Sequence, residues 1–132
     1  MEDNDLLRRT MSRALLAYGY EVHPAAAVAE AVELARRTVF DVVLSDYHLP
    51  DGTGADVVAQ VRRTQDAPAV LLTAEPGAVS VAEQALFSQV FAKPTPMVDI
   101  VEVLDRLSEQ RRTHIRELGG GRQGAEGRED TG

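Results

Sequence analysis

DVVLSDYHLPDGTG, residues 41 to 54, runs from an apolar segment into a carboxylate and then into a loop that closes on glycine. Val42 to Ser45 are apolar or small, and the run from Phe40 to Ser45 has the near-continuous pattern of a strand covered on both faces. Asp46 follows at its end. Burying a charge is costly unless partners meet it, so the residues that want Asp46 there must come from elsewhere in the chain.

Two further strands supply candidates. Ala69 to Thr73, AVLLT, is a second doubly buried strand and ends in a hydroxyl. Gln89 to Ala92 is a shorter one, stopped by Lys93-Pro94-Thr95-Pro96. Tyr20 to His23, before Pro24, reads as a fourth. Between and around them the apolar spacing is helical. Leu6, Leu7, Met11, Ala14, Leu15 and Tyr18 predict a helix over about 4–18, with Gly19 as its stop. Further helices are predicted over 26–37, 55–64 and 79–87, and from Met97 to about Leu118. Strands alternating with helices imply a doubly wound α/β fold, a parallel sheet with helices on both faces. Reactive residues in such sheets gather at the carboxyl ends of the strands. Asp46, Thr73 and Lys93 all fall at such ends.

An acid, a hydroxyl and an ammonium in that arrangement suit phosphoryl transfer. A carboxylate can act as the nucleophile and form an acyl phosphate, while Lys93 and Thr73 stabilise the charge on the transferred group. A carboxylate approaching a phosphate meets repulsion, so a hard cation is expected, and Mg²⁺ takes carboxylate and phosphate oxygens. Glu2 and Asp3, just before the first helix, are the candidate ligands.

With these residues in view, the chain resembles a response-regulator receiver domain over about residues 2 to 108. Glu2-Asp3 is similar to the family's acidic pair. Asp46 resembles the phosphorylated aspartate, with its Leu-Pro-x-x-x-Gly loop at Leu49 to Gly54. Thr73-Ala74 resembles the hydroxyl-plus-small pair, and Lys93-Pro94 the lysine usually joined to proline by a cis peptide. The resemblance implies a flavodoxin-like fold that accepts a phosphoryl group on Asp46 from a sensor histidine kinase or phosphotransfer protein. It implies Mg²⁺ held by Asp3, Asp46 and the backbone carbonyl of His48, with Glu2 acting mostly through water. Such a protein is a phosphoacceptor rather than an enzyme. It signals to a downstream effector protein through the face made by its fourth helix, last strand and last helix, a face through which receivers can also form homodimers.

Two features depart from that pattern. The position usually held by an aromatic switch residue, three before the lysine, is Val90, with Phe91 next to it. The family's first strand, directly before the acidic pair, is absent, which leaves four strands and five helices. Five lost apolar residues at ~1.5–3 kcal/mol each rival the ~5–15 kcal/mol stability of a domain. This reading therefore expects difficulty in folding as a monomer, and expects the reading frame to start upstream of Met1.

Composition narrows the classes. The chain has 132 residues, 44% of them hydrophobic, with three Phe, three Tyr and no Trp. That is one domain, with a core of Val, Leu and Ala. The net charge of −7 argues against a nucleic-acid surface. The absence of cysteine excludes disulfides and thiolate-bound metals. Apolar runs are too short to span a membrane and no signal peptide is visible, so a cytoplasmic protein is expected. His23, His48 and His114 share no ligand-like spacing. Residues 119–132 hold six of the ten glycines and nothing apolar but Ala125, so the domain is placed at 1–118 and the tail is expected to be disordered. Rival readings are a pseudo-receiver or truncated fragment acting only by protein binding, and a phosphohydrolase with a strand-end aspartate. The latter would need a second Asp two residues on, where this chain has His48.

Overall fold

The computed structural model describes residues 2, 4–117 and 127–130. The first helix, α1 (Asp5–Ala17), begins where the Asn4 side chain accepts a hydrogen bond from the Leu7 N–H at 3.0 Å. It ends at Tyr18, and Gly19 turns the chain with φ +93°, in the left-handed region that glycine enters without strain. Strand β1 (Glu21–Pro24) leads to α2 (Val28–Arg37). Ala27 gives α2 no capping side chain. Asp51 supplies the cap from a distant loop, its carboxylate accepting from the Val28 N–H at 2.7 Å and the Ala29 N–H at 3.1 Å. These donors hold the Asp51 carboxyl below the usual carboxylate range.

Strand β2 (Val43–Asp46) carries the opening segment, and β3 (His48–Leu49) and β4 (Gly52–Thr53) form a small antiparallel ribbon after it. Helix α3 (Gly54–Val61) starts in a capping box between Thr53 and Asp56. Then come β5 (Ala69–Thr73), a 3₁₀ turn at Pro76–Ala78, α4 (Val81–Gln84), β6 (Gln89–Ala92) and α5 (Met97–Glu117). The predicted fourth helix over 79–87 shortens to one turn. Ser80 caps it with Glu83 in a second capping box, and both flanking apolar residues, Val79 and Phe87, turn inward.

The strands form one parallel sheet whose faces divide the core by strict alternation. Val42 and Leu44, with Val70 and Leu72, join Leu15, Ile100 and Leu104 under α1 and α5. Val43, Ala69 and Leu71 face Val58, Val79 and Phe87 on the other side. Phe40, outside β2 but fully buried, packs with Val57 and Val61 of α3 and Val28, Ala31 and Ala35 of α2. Gln65 ties this corner together. It accepts from the Phe40 N–H at 2.8 Å and donates to the Ala35 and Thr38 carbonyls at 2.9 and 2.8 Å.

The sheet corrects the expected strand count. It has five strands, in the order β1-β7-β2-β5-β6, and the fifth is β7 (Gly127–Asp130). It runs parallel between β1 and β2, in the slot that the sequence reading left unfilled. Four of its residues pair with β1, and Glu129 pairs with Val43 of β2. The expectation of a disordered tail is therefore not met at 127–130; residues 118–126, 131 and 132 lie outside the described residues. The tail lacks apolar surface, but an interior slot also needs its backbone N–H and C=O groups paired, which an extended polar segment can do.

Candidate functional site

Register brings the predicted residues together. Asp46 pairs with Leu72, one residue before Thr73, and Thr73 pairs with Ala92, one residue before Lys93. The three side chains therefore stand at the same edge on adjacent strands. The Lys93 N–H donates to the Thr73 carbonyl at 2.8 Å, locking β6 to β5 just where the two candidate side chains begin. Lys93-Pro94 is a cis peptide.

The Lys93 ammonium reaches Asp46 Oδ1 at 3.1 Å and Glu2 Oε1 at 3.4 Å. Glu2 is buried to 2% exposure. Its N–H donates to the Ala25 carbonyl, and its other carboxylate oxygen accepts from the Asn4 N–H, each at 3.1 Å. Burial pushes the Glu2 carboxyl up, the Asn4 N–H pulls it down, the Asp46 charge pushes it up again and Lys93 opposes; the net shift is upward. For Lys93, burial works against the charge, but Asp46 and then Glu2 outweigh it, so the ammonium is held above its ordinary value. Thr73 is buried, and its hydroxyl accepts from the Glu75 N–H at 3.0 Å. A hydroxyl used as an acceptor still has its own proton to donate.

The loop after Asp46 explains the glycine that ends the opening segment. A Cβ on Gly54 would lie 2.5 Å from the Asp46 carbonyl oxygen and 2.7 Å from Ser45 Oγ. Only glycine allows α3 to start this close to the strand end. The Gly54 N–H donates to the Tyr47 carbonyl at 2.8 Å, and Ser45 Oγ donates to the Asp46 carbonyl at 2.7 Å. The main chain around the nucleophile candidate is thus held by one side-chain bond at Asp46 and one backbone bond at Tyr47.

Other expected members stand differently. Asp3 lies outside the described residues. The His48 side chain is exposed, with Nε2 3.8 Å from Glu75 Oε1. Among the described residues no three His, Cys, Asp or Glu side chains converge as a metal cluster. Glu2 and Asp46 are nevertheless both drawn to Lys93, and two carboxylates against one ammonium leave a net negative oxygen-donor site of the kind a hard cation fits.

Tyr47 was not singled out by the sequence. It is buried, and its hydroxyl donates to the Glu83 carboxylate, lying 3.0 Å from both oxygens. The only signal was an aromatic next to the key acid, and nothing in the sequence marked Glu83, thirty-six residues away, as its partner.

The family model for the response regulator receiver domain matches residues 1–105. The chain belongs to that family, the phosphoacceptors of two-component signalling. It is 34% identical over 74 residues to the transcriptional regulatory protein AfsQ1 of Streptomyces coelicolor, which covers 56% of this chain and 33% of that protein. The chain thus matches about a third of the length of that curated relative. Among solved structures, it is similar to the receiver domain of a Pseudomonas aeruginosa sensor histidine kinase with a magnesium ion in its active-site cleft (TM-score 0.74, 27% identity, 83% of this chain and 93% of that one). It is also similar to a Burkholderia pseudomallei response regulator carrying a phosphorylated aspartic acid (TM-score 0.68, 28% identity, 88% and 71%). The flavodoxin-like receiver fold expected from the sequence is the one observed. Among the described residues no helix is long and apolar enough to cross a membrane.

Proposed function

We propose that residues 1–118, with β7 completing their sheet, form a receiver unit that accepts a phosphoryl group on Asp46 from a cytoplasmic sensor histidine kinase or phosphotransfer protein. The supporting observation is the Lys93 ammonium bonded to both Asp46 and Glu2, with the Thr73 hydroxyl at the adjoining strand end. An Asp46 carboxylate oxygen attacks phosphorus. The P–N bond of the donor phosphohistidine breaks, and its electron pair stays on the imidazole. Lys93, already at Asp46, offers its ammonium to one phosphoryl oxygen. Thr73 donates its proton to another while still holding the Glu75 N–H. Glu2, Asp3, Asp46 and the His48 carbonyl are the residues that would hold Mg²⁺, which supplies charge neutralisation at the phosphoryl oxygens.

The output face is the one built by α4, β6 and α5. Val81 and Val98 stand exposed there at 84% and 59%, apolar positions suited to an effector protein or a second copy of the chain. The test is intact mass after incubation with acetyl phosphate and Mg²⁺. The chain is expected to gain one phosphoryl group and its Asp46→Asn variant none. Equal gain in both would move the acceptor elsewhere. No gain in a folded chain would favour the alternative role, protein binding alone.

A further inference from the structure

The residue that joins the acid site to the output face is conspicuous because Val90, at the usual aromatic position, has no ring to do so. Tyr47 follows Asp46 directly, and its ring is buried with Val79 and Phe87, the apolar residues that flank α4. Val90 packs against the same cluster. The ring therefore fills the space between the end of β2 and α4 from the β2 side. Its hydroxyl reaches both oxygens of Glu83 at 3.0 Å. Glu83 is also the capping partner of Ser80, accepting from its N–H at 3.0 Å, so the carboxylate that Tyr47 holds is the one that starts α4.

The other approach to α4 is through Thr73. Its hydroxyl holds the Glu75 N–H, and the segment from Glu75 closes a 3₁₀ turn that runs into Ser80. Helix α4 is a single turn with no buried residue of its own. Beyond these bonds it is anchored by Val79 and Phe87, buried on either side of it. Glu83 is held ionised, its carboxyl lowered by the Ser80 N–H and then by the Tyr47 hydroxyl, so the bond is charge-assisted.

We infer that Tyr47 is a positioning residue whose hydroxyl, bonded to Glu83, latches α4 in the unphosphorylated arrangement and so governs how far phosphorylation of Asp46 shifts the output face. The inference rests on the proposed phosphoacceptor role and adds the route of the signal. A phosphoryl group on Asp46 draws the Thr73 hydroxyl toward it and so pulls the Glu75 segment. The latch is what that pull works against.

The chain has no cysteine, so Val81→Cys creates a single labelling site on α4, at a position 84% exposed. The experiment attaches an environment-sensitive fluorophore there. Emission is then read before and after acetyl phosphate with Mg²⁺, with intact mass measured on the same samples. The labelled parent is expected to change emission as it gains the phosphoryl group. In the Tyr47→Phe background the gain of mass is expected to be unchanged. Loss of one hydrogen bond to a charged group shifts the α4 equilibrium by about ten-fold, so the unphosphorylated baseline should move toward the phosphorylated reading and the emission step should shrink. Glu83→Gln, which keeps a neutral acceptor, should give an intermediate step. A full step in Tyr47→Phe at matched melting temperature and matched mass gain would overturn the latch. A parent that gains no mass would overturn it by removing the phosphoacceptor reading beneath it, and that failure appears in the mass rather than in the emission.

Discussion

The two loops that flank the acid pocket are built on different plans. The one after β2 is bolted down: Gly54 presses on the Asp46 carbonyl, Thr53 and Asp56 close a capping box, and Asp51 reaches across to start α2. The one after β5 leads through a 3₁₀ turn to a one-turn helix with no buried residue, held by Tyr47 and Thr73. On the proposed role, the attacking carboxylate of Asp46 sits on the rigid side and the element that would respond on the loose side. A receiver needs this division: the attacking oxygen must stay placed while something next to it moves.

Substitutions can break that contrast to different extents. The largest effect is expected at Lys93, which serves both sides. Lys93→Ala should slow phosphoryl uptake from acetyl phosphate by about 10²-fold or more, the usual cost of losing one charge-stabilising donor, as read by the time course of intact mass. Next is the rigid side itself. Gly54→Ala drives a methyl into backbone at 2.5 Å, and urea unfolding should show a loss of about 1–3 kcal/mol, as for an overpacked site. If it unfolds at the parent's midpoint, the loop after β2 is not the fixed element.

The pocket between the two loops yields a smaller effect of opposite sign. The Glu2 carboxyl is raised in the folded chain. Its contribution is therefore fully present below the unfolded value near 4.5 and is lost as pH rises through the raised folded value. In metal-free buffer at neutral pH, Glu2→Gln should thus melt slightly higher than the parent, and the difference should vanish in acid. The smallest effect belongs to Asp51, whose carboxyl is lowered. Its stabilisation is present above the unfolded value near 3.8 and is lost as pH falls through the lowered folded value. Asp51→Asn, which offers one acceptor oxygen where the carboxylate uses two, should melt slightly below the parent at neutral pH, and the difference should narrow in acid. A curve superimposed on the parent's at neutral pH would show that the cap on α2 is immaterial.

The parts legible in the sequence were those carried by periodicity and by residue type at strand ends. The near-continuous apolar runs at Val42 to Leu44 and Ala69 to Leu72 were enough to place two doubly covered strands, and a parallel sheet then placed Asp46, Thr73 and Lys93 at one edge. Bonds that cross the chain were not legible. Asp51 capping α2, Gln65 tying Phe40 to Ala35 and Tyr47 holding Glu83 each join one polar side chain to a partner more than twenty residues away. Such pairs leave no period behind them. Strand β7 was missed for another reason: apolar content was the criterion, and pairing of backbone was what the slot required.

That strand has a consequence for how the molecule comes into being. Glu21 lies opposite Gly127, and Val43 opposite Glu129. The segment that joins β1 to the rest of the sheet therefore leaves the ribosome after every other described element. Until it does, β1 lacks its strand partner and can meet only α1 and the core cluster that Val22 joins, although β2, β5 and β6 can already pair among themselves. Closing so long a loop is slow compared with forming the local helices. The β1 edge, beside Glu2 and the acid pocket, is therefore the last part of the sheet able to pair.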